Sequence, residues 1–215
     1  MKPHVYQSSA DRVGIAVLRR IAAGWRRLGR DSKAVSAIEF ALLLPLLLIL
    51  YIGGSETGQI IAVYRKASLT SYTLADLVAQ YTGVCTTSNS SSSQIGSLPD
   101  LLSISSSVML PYSSSNAQMV VSGVSNLSGK TNVDWSYGLN ATSWTTGGAQ
   151  PSNVVILPAL IPNNGDQLIV AQTNYVYTSS FSAIMNDLWG NPSITLSSVS
   201  FVRPRLQQKI PLQSC

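Results

Sequence analysis

The sequence predicts an α+β protein: a long N-terminal transmembrane helix followed by a small, mainly antiparallel β-sheet domain with short helices. Three observations carry the prediction. Residues 35–51 form a long apolar run that holds one carboxylate, Glu39. The basic residues crowd in front of that run. Beyond residue 98, short apolar segments alternate with turn-forming Ser, Asn, Gly and Pro, the pattern of short strands and tight connections.

The apolar run sets the helix. No charge occurs from Phe40 to Ser55, and after Glu56 the chain stays uncharged to Tyr64, about 25 residues in all. At about 1.5 Å per residue that length crosses a hydrocarbon core of about 30 Å with some tilt. Pro45 lies inside the run, where a membrane or helix bundle tolerates it. Helical spacing continues through Ile60, Ile61, Tyr64, Ala67, Leu69, Tyr72, Leu74, Leu77 and Val78, so the helix extends past the membrane until Thr82-Gly83 ends it.

Charge orients that helix. The formal net charge is +5, but residues 1–34 hold eight Lys and Arg against Asp11 and Asp31. Residues 35–215 hold six basic and seven acidic residues. The leader's excess predicts a cytoplasmic N-terminus and an exported C-terminal domain. Within it, Val13, Val17, Ile21 and Trp25 recur every four residues beside paired arginines, which suits an amphipathic segment on an anionic leaflet. A domain without a basic face excludes nucleic acid as a partner. Three segments follow: a basic cytoplasmic leader, 1–34; the transmembrane helix and its outer extension, 35–82; and an exported α+β domain, 83–215.

The domain is poor in charge and rich in Ser, Thr, Asn, Gln and Gly. Residues 86–97, a Ser/Thr/Asn/Gln/Gly run, read as a flexible loop. Leu98–Leu102 reads as a short helix begun at Pro99. Ser105–Leu110, Ala117–Val124 and Val133–Tyr137 read as strands, with turns at 113–116 and 126–129. Residues 154–160 are apolar, with Pro158 favouring a short helix or turn. Asn163-Asn-Gly-Asp166 is a turn. Gln167–Tyr177 is the clearest strand, with Ile169, Ala171, Thr173, Tyr175 and Tyr177 on one face. A short helix at 181–189 and a strand at Ile194–Val202 complete the domain, whose sheet is expected to pack on the outer half of the long helix.

Catalytic and metal chemistry find no foothold in these residues. The one histidine, His4, lies in the leader, and Gly53-Gly54 and Gly147-Gly148 lack the lysine and strand–turn–helix setting of a phosphate loop. The expectation is a non-enzyme without cofactor or metal. The two cysteines are Cys85 and Cys215. In an oxidising compartment their simple outcome is one disulfide closing a loop of about 130 residues, for which chain entropy gives up to about 4–5 kcal/mol; in the cytosol they would be two free thiols.

Glu39 is the residue that hydropathy alone does not explain, because a carboxylate within an apolar helix costs a few kcal/mol unless paired or near the interface. The basic leader, Ala34, Val35-Ser-Ala-Ile-Glu-Phe40 and the apolar run with Pro45 look like a type IV prepilin processing site. With Gly53, Glu56 and Gly58 beyond, the stretch is similar to the TadE/TadG-like family of minor pilins (pseudopilins) of the tight-adherence (Tad, Flp) pilus system. A strand with Tyr175 and Tyr177, Arg203-Pro-Arg205 and the final Cys215 also look like family members. The resemblance implies cleavage by a prepilin peptidase between Ala34 and Val35, although the family's usual Gly before the cut is Ala34 here; an uncut anchor is the alternative. It implies assembly roles for Glu39, Phe40 and Pro45, with Glu39 pairing the new α-ammonium of Val35 on a neighbouring subunit. Its implied partners are the bacterial inner membrane, other pilins and pilus assembly proteins. The alternative is a membrane-anchored extracytoplasmic binding module that is not incorporated in a pilus. Glu56 would face water or an arginine of a partner, and Gly54 and Gly58 would suit close helix contact.

Overall fold

The computed structural model describes residues 32–88, 94–156, 160–161, 163–182, 186–187, 190 and 193–215. The amphipathic segment expected at 11–30 lies outside these residues, as do the middle of the stretch at 154–160 and much of the helix expected at 181–189; of the latter, Ser182, Asn186 and Asp187 are helical. The chain divides into two compact units, Met1–Ser55 and Glu56–Cys215.

Helix α1 runs from Ser32 to Val78 and continues through Pro45. Among the described residues it is the one helix long and apolar enough to cross a membrane. In the first unit its large apolar side chains from Val35 to Tyr51 are exposed on every side, as in a helix whose whole circumference is apolar. From Glu56 onward the same helix behaves differently. Val63, Ala67, Thr70, Ser71, Leu74, Ala75 and Val78 recur every three or four residues and are buried, a stripe facing a protein core. The uncharged run to Tyr64 is therefore not all membrane-facing. Val35–Ser55 alone, at about 1.5 Å per residue, covers about 31 Å.

Four antiparallel strands form the main sheet: β3 (Ala117–Leu127), β4 (Lys130–Leu139), β5 (Gln167–Thr178) and β6 (Ser193–Val202), in the order β4-β3-β5-β6. Ser128 and Gly129 join β3 to β4 with φ of 52° and 83°, the two-residue turn whose twist matches a hairpin. A smaller parallel pair, β1 (Gly83–Cys85) and β2 (Ile95–Ser97), precedes it. Helix α2 (Leu98–Ser106) begins at the Ser97 cap, whose Oγ accepts the Asp100 N–H at 3.3 Å.

The strand expected at Ser105–Leu110 is not formed. Those residues finish α2 and make a 3-10 turn, Ser107–Met109. Leu98, Leu101, Leu102 and Ser105 repeat at helical spacing and are buried. The hydroxyls of Ser105 and Ser106 donate to Leu101 O and Ser103 O, each at 2.7 Å, so the serines that disfavour a helix in isolation bond back to its carbonyls here.

The sheet is covered on both faces. Leu74, Ala75 and Val78 of α1 and Leu98, Leu101 and Leu102 of α2 pack on Met119, Val121, Trp135, Ile169 and Ala171. Further along that face, Val63 and Ala67 meet Met109, Ala117, Tyr175 and Tyr177. Ser71 Oγ lies 3.0 Å from Ser200 Oγ and 3.3 Å from Ser198 Oγ, linking α1 to β6. Val120, Val124, Val133, Leu168 and Val170 lie on the opposite face beneath Trp144, Val154, Ile156 and Ile161. Val133 and Trp135 face opposite sides because Gly123 pairs with Trp135 and Val124 with Val133. Asp134 is the extra residue of a β-bulge, a device that re-aims a side chain.

The C-terminal segment 203–215 straps these layers together. Arg205 N–H donates to Ala79 O at 3.0 Å beyond the end of α1, and its guanidinium pairs with Asp76. Lys209 Nζ lies 3.1 Å from Asp134 Oδ1, which also accepts from Ser125 Oγ at 2.8 Å; Gln167 Nε2 donates to Asp134 Oδ2 at 2.7 Å. Ile210, fully buried, gives its N–H to Gln167 Oε1 (2.8 Å) and takes the indole N–H of Trp135 on its carbonyl (2.7 Å). Val84 N–H donates to Pro211 O and Gln213 N–H to Val84 O, extending the small sheet. Cys85 and Cys215 form a disulfide, with Cα atoms 5.8 Å apart and 130 residues of separation.

Replacing both cysteines, Cys85→Ser with Cys215→Ser, is expected to lower stability by about 2–4 kcal/mol while leaving the far-ultraviolet circular dichroism intact. Denaturant unfolding of the two proteins in the same lipid discs checks it.

Candidate functional site

The residues marked out at the N-terminal end all lie in α1. Val35 and Glu39 are one helical turn apart, and Phe40 follows. All three are exposed, Val35 by 50% and Phe40 by 60%. Pro45 falls within the same helix and has no N–H to give the Ala41 carbonyl. Ala34 also falls within the helix. The described residues of the first unit thus present an exposed apolar rod with one carboxylate, Glu39, near its start, chemically suited to lipid or to other apolar helices rather than to a substrate.

Glu56 opens the second unit, and the structure gives it a defined role. Its Oε2 accepts the Tyr177 hydroxyl at 2.7 Å and its Oε1 accepts the Ser180 N–H at 3.2 Å. Gln59, almost one turn further, accepts from Tyr177 at 3.3 Å and from Ser180 Oγ at 3.5 Å. The expectation that Glu56 faces water or a partner's arginine is therefore corrected: it binds the end of β5 in its own chain. Tyr175, on the same strand face, packs edge-on against Tyr112, with ring centres 6.4 Å apart. Tyr177 is 7% exposed. Burial first, then the hydrogen bond and charge of Glu56, push its hydroxyl from the usual 10.0 up to about 12. A phenol hydrogen-bonded to a carboxylate must stay protonated to keep that bond.

Two further groupings were not visible as pairs in the linear chain. Asp134, set on the bulge, gathers Ser125, Gln167 and Lys209. Asp76 meets Arg205, the second arginine of Arg203-Pro-Arg205, while Arg203 Nη2 donates to Leu160 O at 3.0 Å. For Glu56 a signal did exist, in its place after Gly53 and in the Tyr175-x-Tyr177 strand, but nothing joined the two. Among the described residues, no three of His, Cys, Asp and Glu converge as a metal site would require.

Residues 34–76, which hold Val35, Glu39, Phe40, Pro45, Glu56 and Gln59, match the model of the family described as TadE-like protein. This is the family that the Ala34–Glu56 motifs resemble. No curated protein and no solved structure matches the chain.

Because the folded-state pKa of Tyr177 lies above its unfolded value, the contribution of the neutral phenol to stability is complete below about pH 10 and is lost as pH rises through about 12. Glu56→Gln is expected to bring the Tyr177 pKa down from about 12 toward 10 and to cost about 1–3 kcal/mol. Alkaline titration of tyrosinate absorbance, with Tyr177→Phe as the blank, measures the first, and denaturant unfolding the second.

Proposed function

We propose, on the premise of the TadE-like segment at residues 34–76, that the protein is a minor pilin or pseudopilin acting in assembly or priming of a Tad-type adhesive pilus. It sits in the bacterial inner membrane as a single-pass protein, with the leader in the cytoplasm and the domain from residue 83 in the periplasm. The observation that carries this reading is Glu39, exposed one turn beyond Val35 at the start of a bare apolar helix. A carboxylate there is expensive in lipid alone and inexpensive when it meets a cation in the same layer. Cleavage between Ala34 and Val35 by a prepilin peptidase supplies that cation as the α-ammonium of Val35. Paired with Glu39 of a neighbouring subunit, it selects one axial stagger between helices.

The orientation rests on the leader, whose basic residues resist translocation. A domain closed by Cys85–Cys215 fits an oxidising compartment. The alternative is the same anchor carrying a binding module that never enters a fibre; it keeps the tether and gives Glu39 no pairing role.

Two measurements separate these. Glu39→Ala is expected to abolish surface piliation while the protein remains membrane-bound; normal piliation would remove the assembly role. The intact mass of the membrane-extracted protein is expected to correspond to a chain beginning at Val35, and a mass retaining Met1 would mean an uncut anchor.

A further inference from the structure

On the sheet face away from α1, the edge of the Trp144 core opens into a recess of about 390 Å³, within the range of small-molecule sites, roughly 300–1,000 Å³. Its walls come from three places. β3 supplies Gln118 and Val120, and β5 supplies Asn174 and Gln172 directly opposite them in register. The loop after β4 supplies Asn140 and Trp144, and Asn153 closes the rim. Five carboxamides thus surround an apolar floor, and none of the described lining residues is charged.

The recess is built by the backbone. At Gly138, one residue before the end of β4, a Cβ would collide with Ala141 O, so only glycine lets the loop fold back this closely. Asn140 turns the chain in the left-handed region, φ 55°, and its Nδ2 donates to Ala117 O at 3.2 Å. Trp144 N–H then donates to Ser136 Oγ at 2.8 Å, seating the indole, 8% exposed, on Val120 and Val170. Gln172, 4% exposed, donates from Nε2 to Asn174 Oδ1 at 3.3 Å, which fixes the planes of both amides.

We infer that this recess binds a neutral saccharide. Each carboxamide holds a donor and an acceptor in one plane, and each sugar hydroxyl is both donor and acceptor, so adjacent hydroxyls and amides match in pairs. The C–H face of a pyranose supplies the apolar area that Trp144 and Val120 complement. A phosphate or carboxylate ligand would call for a cation, and the recess has none among its described lining residues. Two other recesses among the described residues differ on this point: one holds Arg203, Arg205 and Asp166, and the other Lys130. The inference stands apart from the role given to Glu39, since no residue of the recess lies in α1.

The test uses the full chain in lipid discs, titrated with neutral hexoses, N-acetylhexosamines and their short oligomers, and followed by saturation-transfer NMR and calorimetry. Glucuronic acid serves as the charged control. Saturable binding of at least one neutral sugar, weakened at least about tenfold in Gln118→Ala with Asn174→Ala, is expected; both side chains are partly or fully exposed, so the fold survives. Lys130→Ala, in another recess, should leave the affinity unchanged. Absence of saturable binding across the neutral panel overturns the inference, as does affinity that is unchanged in the double variant. Piliation should persist in that variant, so a failure here and a failure of the Glu39 reading are told apart.

Discussion

An indole N–H buried in a core must find an acceptor, and none of the strands beside Trp135 supplies the one it uses. Ile210 O provides it, from the far end of the chain. Much of the second unit follows from that meeting. With Ile210 fixed over the sheet, Lys209 reaches the bulged Asp134, Pro211 and Gln213 lie along Val84, and Cys215 arrives beside Cys85. In the other direction Arg205 comes to the end of α1, where it meets Ala79 O and Asp76. A segment with almost no regular structure is held by bonds to α1, β1, β4 and β5.

The long helix carries two glutamates in opposite situations. Glu39 is exposed on an apolar rod, and Glu56 is bound by a tyrosine hydroxyl and a backbone N–H. The boundary between the two units falls at Glu56. Hydropathy does not separate the two halves of α1, since both are rich in apolar residues; the difference is that one half buries a stripe and the other, among its described residues, buries none. The Gly53-x-x-Glu56 spacing of the TadE-like segment therefore coincides with the change from lipid-type to core-type packing.

The elements that were legible in the sequence are those specified by local pattern. α1 follows from hydropathy and period, and β5 from its alternation of Ile169, Ala171, Thr173, Tyr175 and Tyr177. The Asn163–Asp166 turn follows from its turn residues. The β3–β4 hairpin was placed correctly, although its strands run further into the turn, to Leu127 and from Lys130. The failures were non-local. Ser105–Leu110 reads as extended by composition, and its helical state depends on α1 and the sheet burying Leu101, Leu102 and Ser105. The bulge at Asp134 breaks the period of two, so Val133 and Trp135 could not be assigned to opposite faces. The strap was invisible because its bonds join residues more than 40 apart, as Ile210 to Gln167 does. Of the site residues, the cysteine pair could be named in advance; the partner of Glu56 could not, because Tyr177 lies 121 residues away.

The bridge between Cys85 and Cys215 also decides how the second unit bears a mechanical load. A pull entering along α1 reaches any residue of the closed loop by two covalent routes, one onward from Cys85 and one back from Cys215. Tyr175 lies 90 residues from Cys85 by the first and 40 from Cys215 by the second. At about 3.5 Å per extended residue, closing the loop cuts the distance over which β5 could be drawn from β1 from about 315 Å to about 140 Å, even with every strand undone. Tension that breaks the hydrogen bonds of the domain is thus caught by a short covalent tether, which limits extension and keeps the strands near enough to pair again when the load is released.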